Sequence, residues 1–284
     1  MSYKNLLVHL DDSKHCSARV AAALDLAARC DAHLVGLYLH SEPVIPGYVS
    51  VQIPPEVREM QRKVRAEQAE TVIAAFEEAA RLAGVSSIET RSETGYAEDA
   101  PDLLALHGRY ADLLLIGQHD PDDEHSPPRS VVEHVLLGCG RPCIVIPYIG
   151  APAGFGQRVL LAWDSSREAA RAVSDSLPLL ERAKSVSVVA VNPKSGIGGH
   201  GEEPGADIAL SLARHGVKAE AQHIVAPDLD VADTLLSKAA DADSDLLVMG
   251  AYGHSRLREV MLGGATHSIC LLYTSDAADD FAVV

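Results

Sequence analysis

The stretch Leu6-Leu7-Val8-His9-Leu10-Asp11-Asp12-Ser13 returns later in the chain as Val159-Leu160-Leu161-Ala162-Trp163-Asp164-Ser165-Ser166. Each copy is a short apolar run that ends in an acid and a helix-capping hydroxyl, the pattern of a buried strand feeding a helix. Further on, Ala111-Asp112-Leu113-Leu114-Leu115-Ile116-Gly117 is matched by Ser244-Asp245-Leu246-Leu247-Val248-Met249-Gly250. Two matched pairs in the same order make the chain an internal duplication. The length agrees, because 284 residues is about twice an ordinary domain.

Between the repeated runs the periodicity alternates. In the first half, β-branched strand patterns occupy Lys4–Leu10, His33–Leu39, Ser87–Arg91, Asp112–Gly117 and Cys143–Tyr148, and amphipathic helical patterns lie between them. The clearest helix is Pro55–Gly84, with Pro in its first turn, apolar positions at Val57, Met60, Val64, Val72, Phe76, Ala79 and Ala83, and Gly at its stop. Strand and helix in alternation predict an α/β fold, a parallel sheet covered by helices in each half. The loop Gly150–Gly156, rich in Gly, Pro and Ala, separates the halves, giving domains at 1–150 and 157–269. A tail at 270–284 stands apart. At the repeat offset the closing strand should recur at 275–281, where Ser275-Asp276-Ala277-Ala278-Asp279-Asp280-Phe281 is too acidic for a buried parallel strand. The second domain is therefore expected to lack its last strand.

Composition excludes several functions. A net charge of -16 argues against tracking nucleic-acid phosphates or binding anionic membrane. Aromatics at 4% leave few stacking platforms for bases, and no apolar run is long enough to span a bilayer. The N-terminus does not read as a signal peptide. Five cysteines with no C-x-x-C pair fit reduced thiols in a cytoplasm. Cys139 and Cys143 are more simply small buried hydrophobes than a metal or redox pair.

The chemical signal lies at the end of the second half's fourth strand. Gly250-x-x-Gly253-x9-Gly263-Gly264-Ala265-Thr266 begins where an apolar strand stops, at the carboxyl edge of a parallel sheet, where such sheets bind ligands. Glycines let backbone amides approach phosphate oxygens, and a following helix start adds the positive end of its dipole. An acidic protein can hold an anion in this way without a basic cluster. Asp164 sits across the same edge, where its carboxylate can accept from ribose hydroxyls or cap the helix beginning near Ser166. A second glycine pattern, Gly196-x-Gly198-x-x-Gly201, follows a second strand instead of a first, and reads as a flexible loop rather than a dinucleotide fingerprint.

On these residues the chain resembles a tandem member of the universal stress protein A family, from about Tyr3 to His267. The resemblance implies a doubly wound five-stranded α/β domain in each half, of adenine nucleotide alpha-hydrolase type, with dimer-like packing of the halves and scope for a homodimer. It implies ATP, AMP or ADP at the glycine loop, with Mg2+ admissible beside the phosphates. Carried over by position, the nucleotide-binding residues are Ala162, Asp164, Val191, Met249, Gly250, Gly253, Gly263, Gly264 and Thr266. Asp164 would contact ribose or adenine, the backbone at Val191 would read adenine, and the glycines would cradle phosphate. The family has a hydroxyl residue directly after the third glycine; Gly264 stands there, with Thr266 two places later.

The first half fails the same test. At an offset of 133, Gly253 falls on Asp120 and Gly263 on Ser130, so only Gly117 survives. Its loop, His119-Asp120-Pro121-Asp122-Asp123-Glu124-His125, would repel a triphosphate, and no nucleotide is expected there. Two imidazoles and several carboxylates can ligate a divalent metal, but acidic loops without one are commoner and Pro121 breaks the spacing. No metal site is expected.

The functional expectation is a cytoplasmic stress-response regulator or signalling module that binds an adenine nucleotide in its second half and is not a dedicated enzyme. No H-E-x-x-H, P-loop or Ser-His-Asp order is present, and no residue stands out as a general base, although slow ATP hydrolysis is compatible with the sequence. The alternatives are a nucleotide-free protein-interaction module and an adenylating enzyme of related fold. The latter would need a Gly-rich loop after the first strand, where Asp164-Ser165-Ser166-Arg167 has no glycine.

Overall fold

The computed structural model describes residues 2–42, 54–96, 99–193, 203–251 and 282–283. Two compact units emerge, Tyr3–Arg141 and Pro142–Val284, the latter joined by Met1–Ser2. Both are α/β.

In the first unit, β1 (Asn5–Leu10), β2 (His33–Glu42), β3 (Ile88–Tyr96) and β4 (Leu113–Gly117) lie in the order β3-β2-β1-β4, every pair parallel. Burial explains the order. All of β4 and all but the first residue of β1 are buried, His9 among them, as their Leu-, Val- and Ile-rich runs favour, whereas β3 (IETRSETGY) has no buried residue and takes the edge. The helices α1 (Cys16–Cys30) and α2 (Pro55–Ala83) pack together, as do α3 (Ala100–Gly108) and α4 (Arg129–Gly138). Reversal of strand order at β1 is the signature of a doubly wound sheet.

Helix α2 runs almost as the spacing predicts, from Pro55 to a left-handed Gly84 at φ 71° whose amide reaches back to Arg81 O at 3.2 Å. Its buried residues are Ala69, Phe76 and Ala80. Gly36 of β2 is required beneath it: a Cβ there would stand 2.9 Å from Phe76 Cε1. Val57, Met60 and Val64, expected on the apolar face, are exposed instead. Nothing in α2 before Ala69 is buried, so the apolar spacing there produced a helix without a core face.

The second unit holds β5 (Cys143–Ile146), β6 (Arg158–Ala162), β7 (Ser185–Val191), β8 (Ala219–Ile224), β9 (Leu246–Val248) and β10 (Ala282–Val283), in the order β5-β10-β9-β6-β7-β8. The pairs are parallel except β5 with β10, where Val283 faces Val145 antiparallel. Among its described helices are α5 (Arg167–Leu180), α6 (Ala206–Arg214) and α7 (Val231–Asp241). Among the described residues, Ala282 and Val283 stand beside β9, later in the chain than the acidic 275–281 stretch, which lies outside the described residues, as does the Gly196–Gly201 loop.

Repetition extends to a matched pair of aspartates. In the first unit Asp112 Oδ2 accepts from the Lys4 and Asn5 amides at 2.7 and 2.9 Å. In the second, Asp245 accepts from the Gly156, Gln157 and Arg158 amides at 2.9, 3.1 and 3.0 Å. The carboxylates anchor the starts of the repeat-related strands β1 and β6, at the end of the sheet away from the ligand edge. Their recurrence in the sequence is thus structural.

Candidate functional site

The carboxyl edge of the second unit is built from the ends of β6, β7 and β9. Three expected site residues share one cluster there: Met249 is buried with Leu160, Val189, Ala232, Leu235, Ala239 and Leu247, while Ala162 and Val191 pack against the same group. The strand ends are therefore held on α7, at the edge where ligands bind in this architecture.

Beyond Ala162 the chain turns sharply. Trp163 donates its amide to Val189 O at 2.9 Å, Ser165 adopts a left-handed φ of 62°, and α5 begins at Arg167. Such a φ on a residue with a Cβ is held in place by its surroundings. The cap is Ser166, whose Oγ accepts from Ala169 N at 3.0 Å. Asp164 Oδ1 accepts from Ser166 N at 2.9 Å, so the acid shapes the turn and the hydroxyl caps the helix. Asp164 is otherwise exposed.

Gly250, directly after Met249, fits for a steric reason. A Cβ at that position would lie 2.5 Å from Ala169 N and 2.6 Å from Glu168 C, so the end of β9 runs hard against the first turn of α5. The exposed carboxylate of Asp164, the N-terminus of α5 and the glycine that opens the loop are thus brought to one place. Gly253, Gly263, Gly264 and Thr266 lie outside the described residues.

Asn192 was not singled out by sequence reasoning. It follows Val191 with a left-handed φ of 48°, and its side chain bridges to Ala226, donating Nδ2 to the carbonyl at 3.1 Å and accepting the amide at 2.8 Å. This ties the end of β7 to the loop after β8. The available signal was an Asn-Pro closing a strand, since Asn tolerates the left-handed region and bonds backbone locally.

The first unit's edge is different. Its repeat-related acid, Asp11, is largely buried and paired with Arg19 of α1, Oδ2 to Nη2 at 2.8 Å, while Arg19 Nε donates to His9 O at 2.7 Å. Burial disfavours the Asp11 anion, but Arg19, His9 and the Ser13 hydroxyl outweigh it and hold the carboxyl below its ordinary value. His9 is pushed down to about 4, chiefly by burial, with Asp11 opposing and Arg19 adding to the shift. Alongside, Tyr38 donates its hydroxyl to Asp12 Oδ2 at 2.8 Å.

The acidic loop folds onto the start of α1. Asp120 accepts from Lys14 Nζ at 2.9 Å, from the Asp122 amide at 2.9 Å, and lies 2.8 Å from His15 Nε2. Burial opposes its charge, yet the bonds from Lys14, the Asp122 amide and His15 bring it down to about 2. His119 Nδ1 lies 3.0 Å from Pro127 O, while three other donors of this region, on His15, Asp120 and Asp123, come within 4.8 Å of one another, with the Lys14 ammonium on Asp120. None of the four described cysteines forms a disulfide, and Cys139 and Cys143 are buried as expected of small hydrophobes.

A doubly wound parallel sheet, with a helix N-terminus and an acid at its carboxyl edge, places the chain among α/β proteins. The particular lineage follows from comparison. The model of the Universal stress protein family matches residues 2–147, just over half of the sequence, and the chain belongs to that family. It is 24% identical to Universal stress protein Slr1230 of Synechocystis sp. over 216 residues, 73% of this chain and 70% of that protein. In fold it is similar to a universal stress protein from Archaeoglobus fulgidus DSM 4304, with a TM-score of 0.72 at 15% identity, covering 98% of this chain and 94% of that one. It is also similar to the functionally unknown protein PA1789 from Pseudomonas aeruginosa PAO1, with a TM-score of 0.55 at 15% identity, covering 99% and 92%. No described helix is long and apolar enough to cross a membrane.

Proposed function

We propose that the protein binds an adenine nucleotide, ATP, ADP or AMP, at the carboxyl edge of its second domain, and acts in the cytoplasm as a stress-response regulatory module rather than a dedicated enzyme. The observation that carries this reading is the exposed carboxylate of Asp164 beside the capped start of α5, with Gly250 against the same turn. Asp164 would accept from the ribose hydroxyls. The backbone at Val191 would meet adenine, and the amides of the Gly253 to Gly264 loop would cradle the phosphates, with Mg2+ as their counterion and Thr266 as the side-chain contact. The boundaries 1–150 and 157–269 and a pseudo-dimeric arrangement of the halves belong to the same reading.

The test is direct. Purified protein is denatured and its small molecules separated by anion exchange; ATP, ADP or AMP near one per chain is expected. Gly253→Asp, which copies the first half's Asp120, should abolish binding measured by calorimetry. No released nucleotide together with no ATP binding would favour a nucleotide-free interaction module, and retained affinity in Gly253→Asp would remove the glycine loop from the site.

A further inference from the structure

Of the loop glycines the first domain keeps only Gly117, yet the absence of the others alone would leave its acid free to hold a nucleoside. What happens to that acid is visible inside the first unit. Leu6 and Val159 take the same register against Leu113 and Leu246, so Asp11 is the counterpart of Asp164, His9 of Ala162, and Arg19 falls on Ala172. Asp164 is exposed; Asp11 is spanned by a guanidinium that is itself 2% exposed. That guanidinium lies directly against Gly117, and any Cβ at 117 would collide with Arg19 Nη1. Gly117 and Gly250 are repeat-related, but Gly250 gives way to helix backbone and Gly117 to an arginine side chain. Nε on the His9 carbonyl and Nη2 on Asp11 Oδ2 fix the head across the ends of β1 and β4.

We infer that Arg19 is a built-in occupant of the first domain's ligand edge: its guanidinium holds Asp11 in place of a ribose diol and so closes this half to nucleosides, charged or not. The inference rests on reading the second domain's edge as the nucleoside site, but it concerns a different acid. Two causes that the sequence merges are thereby distinct. The Asp120 to Glu124 run repels phosphate, whereas Arg19 excludes the uncharged part of the ligand as well.

Adenosine, which carries no phosphate, is the appropriate probe. On the wild-type chain no adenosine binding should depend on Asp11, and Asp11→Asn should leave the stoichiometry unchanged. The pair His9→Ala with Arg19→Ala copies the second domain's Ala162 and Ala172; it should add one equivalent of adenosine by calorimetry, and a third change, Asp11→Asn, should remove it. A folded double variant that gains no Asp11-dependent equivalent overturns the inference, as does Asp11-dependent binding in the wild type. Should the double variant fail to fold, the wild type still decides. The Nε-H signal of Arg19, followed by nitrogen NMR, should stay slow to exchange and unmoved under millimolar adenosine, and a saturable shift would show that the arginine yields to ligand. If the wild type binds no adenine nucleotide anywhere, the function proposed for the second domain fails, while the Asp11-dependent gain in the double variant still tests Arg19.

Discussion

Arg19 Nη2 lies 2.8 Å from Asp11 Oδ2, and both groups are withdrawn from solvent inside the first unit. Removing one member of such a pair leaves the other buried and uncompensated. Asp11→Ala is expected to destabilise the first unit by about 3 kcal/mol, the usual order for breaking a buried pair. Urea unfolding followed by circular dichroism measures it, and a loss below about 1 kcal/mol would mean that water already reaches the arginine.

His9 gives the same region a pH dependence. Its imidazole takes up a proton near 6.5 in the unfolded chain but only at about 4 in the folded one. Between those values the unfolded state binds more protons, so stability falls as the pH is lowered through this window and is flat above it. The loss accumulated by pH 4 is about 3 kcal/mol at 1.36 kcal/mol per pH unit. Urea midpoints at pH 7, 6, 5 and 4 should trace this decline, and His9→Ala should flatten it; an unchanged slope in the variant would assign the effect elsewhere.

Gly250→Ala tests the close approach of β9 to α5. The new methyl would start 2.5 Å from Ala169 N, against backbone that cannot rotate away. Overpacking of this kind costs about 1–3 kcal/mol, and the shift it forces should also weaken ATP binding. A variant as stable as the wild type would show that the turn has room to move.

Asp164 and Ser166 should separate stability from binding. Ser166→Ala removes the cap on Ala169 N and is expected to cost about 1 kcal/mol of stability with little change in ATP affinity. Asp164→Ala loses an exposed turn contact and a ribose acceptor, so it should lower affinity about tenfold, roughly 1.4 kcal/mol, with a smaller effect on the melting midpoint. The reverse pattern would make Asp164 a structural residue alone.

Much of the architecture was legible in local pattern. The largely apolar runs of β1 and β4 suit strands buried on both faces, Pro55 and Gly84 punctuate α2 by their backbone preferences, and the repeated Asp112 and Asp245 marked equivalent strand starts. Less legible was which face of α2 would be used. Val57, Met60 and Val64 have helical spacing but stay exposed, because burial depends on what lies opposite, and spacing along one helix does not contain that.

By itself, the sequence determined the duplication, the α/β alternation and the asymmetry between a glycine-bearing loop and an acidic one, because these reside in residue type and spacing. Tertiary structure decided which acid is open. Asp11 and Asp164 occupy the same place in matching motifs, and only a side chain from eight residues further along, folded back through a helix, gives one of them a guanidinium and leaves the other to solvent. Charge pairing in a buried site is a property of approach in space, and α1 supplies that approach in the first unit.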